Sequence, residues 1–206
     1  MEFFDISRTL FEGMAVWPGD PEFSRTQSLS MEEGAASNVS LIALGSHTGT
    51  HVDAPLHLIR TGTDVALLPL SHFVGPARVL DLVGRKCILP GHFEGIDWQG
   101  VRRVLFKTCD HPSPDRLFDQ NYTCLDQKAA EFLVGKGILL VGIDTPSVDP
   151  FDSTDLLAHK TLLSSGVVIV EGLALDLISP GDYWLACLPL KIAGSDGSPV
   201  RAVLWR

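Results

Sequence analysis

The stretch SHTGTHVDAPLH (Ser46–His57) gathers three of the chain's seven histidines and an aspartate into one short segment: His47, His51, Asp53 and His57. The backbone that could bring these four side chains together decides how this part of the fold must be built. On a helix, His47 and His51 would share a face, but Asp53 would point about 200° away from His51. Gly49, the β-branched Thr48, Thr50 and Val52, and Pro55 also make a poor helix interior. On a strand, His47, His51 and Asp53 would face one side, but His47 and His51 would lie about 13 Å apart. That is too far for two imidazoles that must each approach a shared metal to about 2 Å. A strand that ends near His47 and bends at Gly49 resolves the conflict, because glycine tolerates such a bend. Asp53 then caps a short turn over APLH, with Pro55 in its first position and His57 one turn on.

A folded corner of imidazoles and a carboxylate suits Zn²⁺ first, and Mn²⁺, Fe²⁺ or Co²⁺ as well. The four cysteines, Cys87, Cys109, Cys124 and Cys187, lie away from it and form no CxxC pair. They read as reduced thiols of a cytoplasmic protein. A corner without cysteine favours an open, catalytic site over a closed structural one.

Two distant residues add to this reading. His159 shares a helical face with Leu156 and Leu163, so it points to the core, where a satisfied core histidine and a ligand are both open readings. Glu171 ends the apolar run VVIV and would be a buried carboxylate in need of a cation, supplied by a salt bridge or by a metal. The helix of His159 leads into the strand of Glu171, so the two can meet at the strand's end. A second metal bridged by Asp53 or Glu171 would satisfy both burials.

Around these residues the chain reads as one α/β domain, residues 1–206, with a mixed sheet. Strand-like runs are FFDIS near the start, Val39–His47, Ala77–Leu82, Val101–Thr108, Gly137–Asp144, Val167–Leu173, Tyr183–Leu190 and VRAVLWR at the end. Several are continuously apolar, as strands buried on both faces are. One helix is expected in TCLDQKAAEFLVGKG, where Thr123 begins a capped segment, with Asp126 at the fourth position and Gly135 as its stop. A second is expected from Ser153, as N-cap, to Gly166.

The composition excludes other classes. Hydrophobic residues are 45% and charged residues 20%, which is ordinary globular usage. The formal net charge of −9, without any basic run, argues against a nucleic-acid surface. No apolar stretch is long enough to span a bilayer, and MEFFDIS lacks the features of a secretory signal.

The pattern H-x-G-T-H-x-D-x-P-x-H, here His47 to His57, is similar to the signature of the metal-dependent cyclase family. WPGDP (Trp17–Pro21), GIDTPSVDP (Gly142–Pro150), the AHK containing His159 and VEGLALD (Val170–Asp176) extend the resemblance over nearly the whole chain. The WPGDP segment points to the formamidase branch. The resemblance implies a swivelling β/β/α-type fold, a homodimer, and hydrolysis of N-formyl-L-kynurenine to L-kynurenine and formate in tryptophan degradation. Carried over by matching position, one zinc would take His47, His51 and Asp53. A second would take Asp53 and His159, and Glu171 would contact both. His57 would be the catalytic acid/base and Trp17 would contact the substrate. No matched position departs from the pattern. The basic partner of the substrate's carboxylate is open among Arg8, Arg25, Arg60 and others. The rival readings are an isatin-type or cyclic-amide hydrolase of the same family, and a metal- or ligand-binding protein without turnover.

Overall fold

Most of the apolar runs become strands of one sheet. The computed structural model describes residues 1–110 and 116–206. Among the described residues, nine strands form a mixed sheet. Across it lie β1 (Phe3–Asp5), β13 (Val203–Trp205), β11 (Gly181–Ala186), β5 (Val74–Asp81), β7 (Arg103–Lys107), β9 (Leu140–Ile143), β10 (Val168–Glu171), β4 (His51–Asp53) and β12 (Gly197–Pro199). A hairpin, β2 (Ser24–Leu29) and β3 (Val39–Ala43), stands apart, and β6 (Cys87–Ile88) pairs with β8 (Cys124–Leu125).

The four central strands, β5, β7, β9 and β10, run parallel. Every residue of β7, β9 and β10 is buried, including the charged Arg103 and Lys107 at the ends of β7 and Glu171 at the end of β10, and the apolar stretches between them are those of strands covered on both faces. Alternate side chains feed two cores. Leu105, Leu140, Val168 and Val170 enter one. Val104, Phe106, Val141, Ile143 and Ile169 enter the other, beneath the helices α1 (Gln127–Gly135) and α2 (Leu157–Ser164). Leu204 of β13 and Val52 of β4 lie far apart in strand order yet share the first core, so the sheet curls over on itself.

Several boundaries differ from the sequence expectation. The Val39–His47 run is a strand only to Ala43, and all of β3 is exposed. The N-cap of α1 is Asp126, whose carboxylate accepts from Lys128 N at 2.9 Å, rather than Thr123. Helix α1 includes Gly135, and left-handed Gly137 follows its end. Helix α2 begins at Leu157, not after Ser153, because Leu156 adopts a left-handed φ of 48°. Its first turn is capped from a distance by Asp149, whose carboxylate accepts from Ala158 N at 3.0 Å and His159 N at 2.9 Å.

The pairing of β4 with β10 positions the site. They run antiparallel, with Asp53 opposite Ile169, Val52 opposite Val170, and His51 opposite Glu171. Since side chains alternate along a strand, Val52 and Val170 fill the first core. His51, Asp53 and Glu171 therefore emerge on the opposite, helix-bearing face. Strand β12 pairs with the other edge of β4, so this short strand is hydrogen-bonded on both sides.

Candidate metal centre and its cavity

The corner forms, with its bend at Gly49 (φ 67°) as the sequence requires. A strand, β4, follows the bend, and this was not expected. Asp53 does not cap the turn after it. The 3₁₀ turn Pro55–His57 has Ala54 as its N-cap and no side-chain cap, and Asp53 is fully buried among imidazoles instead. The corner is seated on the end of β10 by two glycines. A Cβ on Gly172 (φ 64°) would lie 2.4 Å from Gly49 O. Thr50 Oγ1 donates to Gly172 O at 2.6 Å and accepts from Arg8 N at 2.8 Å.

The structure brings His47, His51, Asp53, His159 and Glu171 together, and sets His57 at their edge. His51 Nε2 lies 3.4 Å from Asp53 Oδ1 and 3.5 Å from Glu171 Oε2. His159 Nε2 lies 3.3 Å from Asp53 Oδ2 and 3.2 Å from Glu171 Oε1. His47 Nδ1 lies 2.8 Å from Asp53 Oδ1. The ring of His57 is 4.2 Å from that of His47 and 6.0 Å from that of His159, centroid to centroid. His51, Asp53, His159 and Glu171 are buried, while His47 and His57 are half-buried and reach the cavity.

Neighbouring groups fix the far side of each ring. Gly49 O sits 3.0 Å from His51 Nδ1, and Asp149 Oδ2 sits 2.7 Å from His159 Nδ1. Both acceptors call for a proton on Nδ1, which turns each Nε2 towards the two central carboxylates. Asp149 thus caps α2 and orients His159 with one carboxylate. Asp196 Oδ2 faces His47 Nε2 at 2.8 Å and His57 Nδ1 at 3.4 Å. Neither aspartate was singled out from the sequence. Asp149 lay within a quoted motif, but no periodicity links it to His159. Asp196 sits in a Gly-Ser-Asp-Gly turn that looks like any loop.

Charge in this cluster is balanced by protons when no metal is bound. Burial disfavours the ionised carboxyl of Asp53, but the three surrounding imidazoles outweigh it and hold the group well below its usual range. For Glu171, burial and the charge of Asp53 both push the carboxyl up, yet His159 and His51 bring it below the ordinary value. Burial pushes His51 down, but Asp53 and Glu171 raise it to about 10. His159 is likewise lowered by burial and raised more strongly by Glu171, Asp149 and Asp53, to end well above its ordinary value. Burial raises the carboxyl of Asp196, and its contacts with His47 and Ser46 overcome this to hold it at about 2.

The donor set fits a metal. Two groups of side chains here, His47–His51–Asp53 and Asp53–His159–Glu171, each have ligand atoms within 4.8 Å of one another and share Asp53. Asp53 Oδ2 is buried, and its near polar neighbour, His159 Nε2 at 3.3 Å, is not aligned for a full hydrogen bond, so a cation between the two would satisfy both atoms. Imidazole and carboxylate without thiolate suit Zn²⁺ and its first-row neighbours.

The cluster opens into a cavity of about 800 Å³. Trp17 lines it and forms one aromatic group with Phe118 and Phe151, at centroid separations of 5.3 Å and 5.2 Å. Phe118 also lines the cavity. Of the basic residues named from the sequence, Arg8 is in the wall, with Nε donating to Gly172 O at 3.2 Å and Nη2 to Asp144 O at 2.8 Å. Arg25 is on the hairpin. Among the described residues, no helix is long and apolar enough to cross a membrane.

The Cyclase family model matches residues 4–150. The chain is 47% identical over 206 residues to the kynurenine formamidase of Salinibacter ruber, covering 99% of this chain and 97% of that one. It is 42% identical over 203 residues to the kynurenine formamidase of Bacillus cereus, covering 98% and 97%. Among solved structures, it superposes with a TM-score of 0.82 on one described as a "predicted metal-dependent hydrolase" from Bacillus stearothermophilus, at 33% identity and covering 98% and 97% of the two chains. It also superposes on isatin hydrolase A from Labrenzia aggregata bound to benzyl benzoate, with a TM-score of 0.84 at 25% identity and coverage of 98% and 93%.

Proposed function

The chain belongs to the Cyclase family, and from that premise we propose that it is a kynurenine formamidase, hydrolysing N-formyl-L-kynurenine to L-kynurenine and formate in tryptophan degradation. The observation that carries the reading is the near full-length identity to kynurenine formamidases. The cavity agrees with it, since an aromatic wall at Trp17 faces a cluster of three imidazoles and two buried carboxylates.

His47, His51 and Asp53 would hold one metal, and Asp53, His159 and Glu171 a second, with zinc the fitting ion at both. Glu171 would also be in reach of the first, as its contact with His51 supports. A zinc ion bound there would supply Lewis acidity to the formyl carbonyl and to a water molecule. The protein's own groups do the rest. Water adds to the formyl carbon, the carbon–nitrogen bond breaks, and the aryl nitrogen leaves with a proton. His57 is the group placed to carry that proton. It stands at the cavity edge, beside the cluster but outside the two ligand sets, and imidazole can take and return a proton near neutral pH. The indole of Trp17 offers its face to the substrate's ring, and Arg8 gives the wall a positive charge for the amino-acid end.

The protein works in the cytoplasm as a homodimer. The exposed hairpin supports the dimer, because Leu41 is 64% and Ile42 54% exposed, and apolar strands of this kind are normally covered by a partner.

The test is the rate of N-formyl-L-kynurenine hydrolysis by protein stripped with chelator and titrated with zinc. Activity should vanish on stripping and return as about two equivalents bind. His57→Ala should keep the metal and lose roughly 10²–10⁴-fold in kcat. A fully loaded, folded protein that hydrolyses isatin but not N-formyl-L-kynurenine would move the assignment to the isatin branch.

A further inference from the structure

Asp196 belongs to neither metal set above, yet it is held at the centre's edge by several constraints. Its carbonyl accepts from Ala54 N at 2.9 Å, which ties it beside Asp53 at the end of β4. Its Oδ1 accepts from Ser46 Oγ at 3.0 Å. Its Oδ2 meets both His47 Nε2 at 2.8 Å and His57 Nδ1 at 3.4 Å. The next residue is glycine, and a Cβ there would lie 2.8 Å from His47 Cε1, so the segment can approach His47 only because Gly197 has none.

We propose that Asp196 is a positioning residue for the hydrolysis, and that its Oδ2 sets the ring orientation and tautomer of His57 while braced on His47. The chemistry follows from the acceptor. A carboxylate facing Nδ1 keeps the proton on that nitrogen, and Nε2 of His57 is then the nitrogen free to exchange a proton with substrate. The link between Asp196 and His57 also couples the acid/base to a residue of the first metal set through a single oxygen. The inference rests on the acid/base reading of His57.

The test combines ring ¹⁵N–¹H spectra of the zinc-loaded protein, zinc stoichiometry and affinity by chelator competition, and a double-mutant cycle on kcat. Wild-type protein should show His57 with its proton on Nδ1. In Asp196→Asn and Asp196→Ala that signature should weaken or move to Nε2, with kcat down roughly 10–100-fold, KM within about threefold, and unchanged zinc stoichiometry. Asp196→Glu, which keeps the carboxylate, should recover part of the tautomer signal. His57→Ala/Asp196→Ala should be no slower than His57→Ala alone, because residues acting as a unit are non-additive. Losses that add in the double variant, or a His57 tautomer indifferent to Asp196, would overturn the inference while leaving the acid/base reading intact. Loss of a zinc equivalent in Asp196→Asn would overturn it too, by making Asp196 a metal ligand beside His47 and His57, whose ligand atoms and its own lie within 4.8 Å of one another. If His57→Ala itself kept wild-type turnover, the underlying reading would be the one to fall.

Discussion

Binding zinc to the metal-free protein should expel protons even in mildly alkaline solution. An ordinary imidazole, with a pKa of about 6.5, is only about 3% protonated at pH 8, so three such ligands would release almost nothing. Here His51 is raised to about 10 by Asp53 and Glu171 against the effect of burial, and His159 is raised well above its ordinary value. Both must shed a proton before Nε2 can ligate. Zinc-bound water contributes up to about one more. The expected release at pH 8 is therefore about one proton from His51, with His159 and the metal-bound water adding to it in the same direction. The sign follows directly. Raising the pH removes protons that compete with the metal, so apparent affinity rises with pH until the His51 range near 10 is passed. With the His51 proton displaced by the metal it ligates, that site's affinity gains about tenfold per pH unit, or roughly 1.4 kcal/mol. Calorimetric titration in buffers of different ionisation enthalpy measures the number. A release close to zero, with an affinity nearly flat between pH 7 and 8, would show that the cluster does not store charge as protons.

Glu171→Gln should bind zinc at least tenfold more weakly, because a buried ligand loses its charge while its shape is kept; unchanged zinc content after dialysis would remove it from the ligand set. Gly172→Ala forces a Cβ to 2.4 Å from Gly49 O at a φ of 64°. Left-handed strain and the overlap together should cost about 2–4 kcal/mol and lower Tm by roughly 5–15 °C, with zinc affinity falling as the corner lifts off β10. A melting temperature within 1 °C or so of wild type would contradict the close packing of the two glycines.

The corner was legible in the sequence because its logic is local. Gly49, Pro55 and the spacing of His47, His51 and His57 constrain one another within a few residues. Glu171 announced itself as a charge at the end of an apolar run, and His159 as a polar residue on an apolar helical face. The partners that orient these side chains were not legible. Asp149 reaches the start of α2 from ten residues away, so Ser153, a good cap by composition, was given its role. Asp196 meets His57 across 139 residues, and only the pairing of β12 with β4 brings it there. The register that sets His51 opposite Glu171 is a tertiary fact. A one-residue slip of β4 would turn both ligands into the wrong core, and nothing in either strand's own sequence specifies the partner.

The two halves of the centre differ in how much of the chain must be in place before they exist. His47, His51 and Asp53 lie within seven residues, so an unfolded chain already carries most of that half and can grip a metal there. Such a grip favours the unfolded chain as well as the native one, and its contribution to stability is diminished accordingly. Asp53, His159 and Glu171 meet only after a loop of more than a hundred residues has closed and β4 has docked on β10. A metal held there has no counterpart in the unfolded chain, and its full binding energy counts towards the native state. Metal supplied early in refolding therefore meets only the local half, and the bridged centre is completed last, once long-range strand pairing is done.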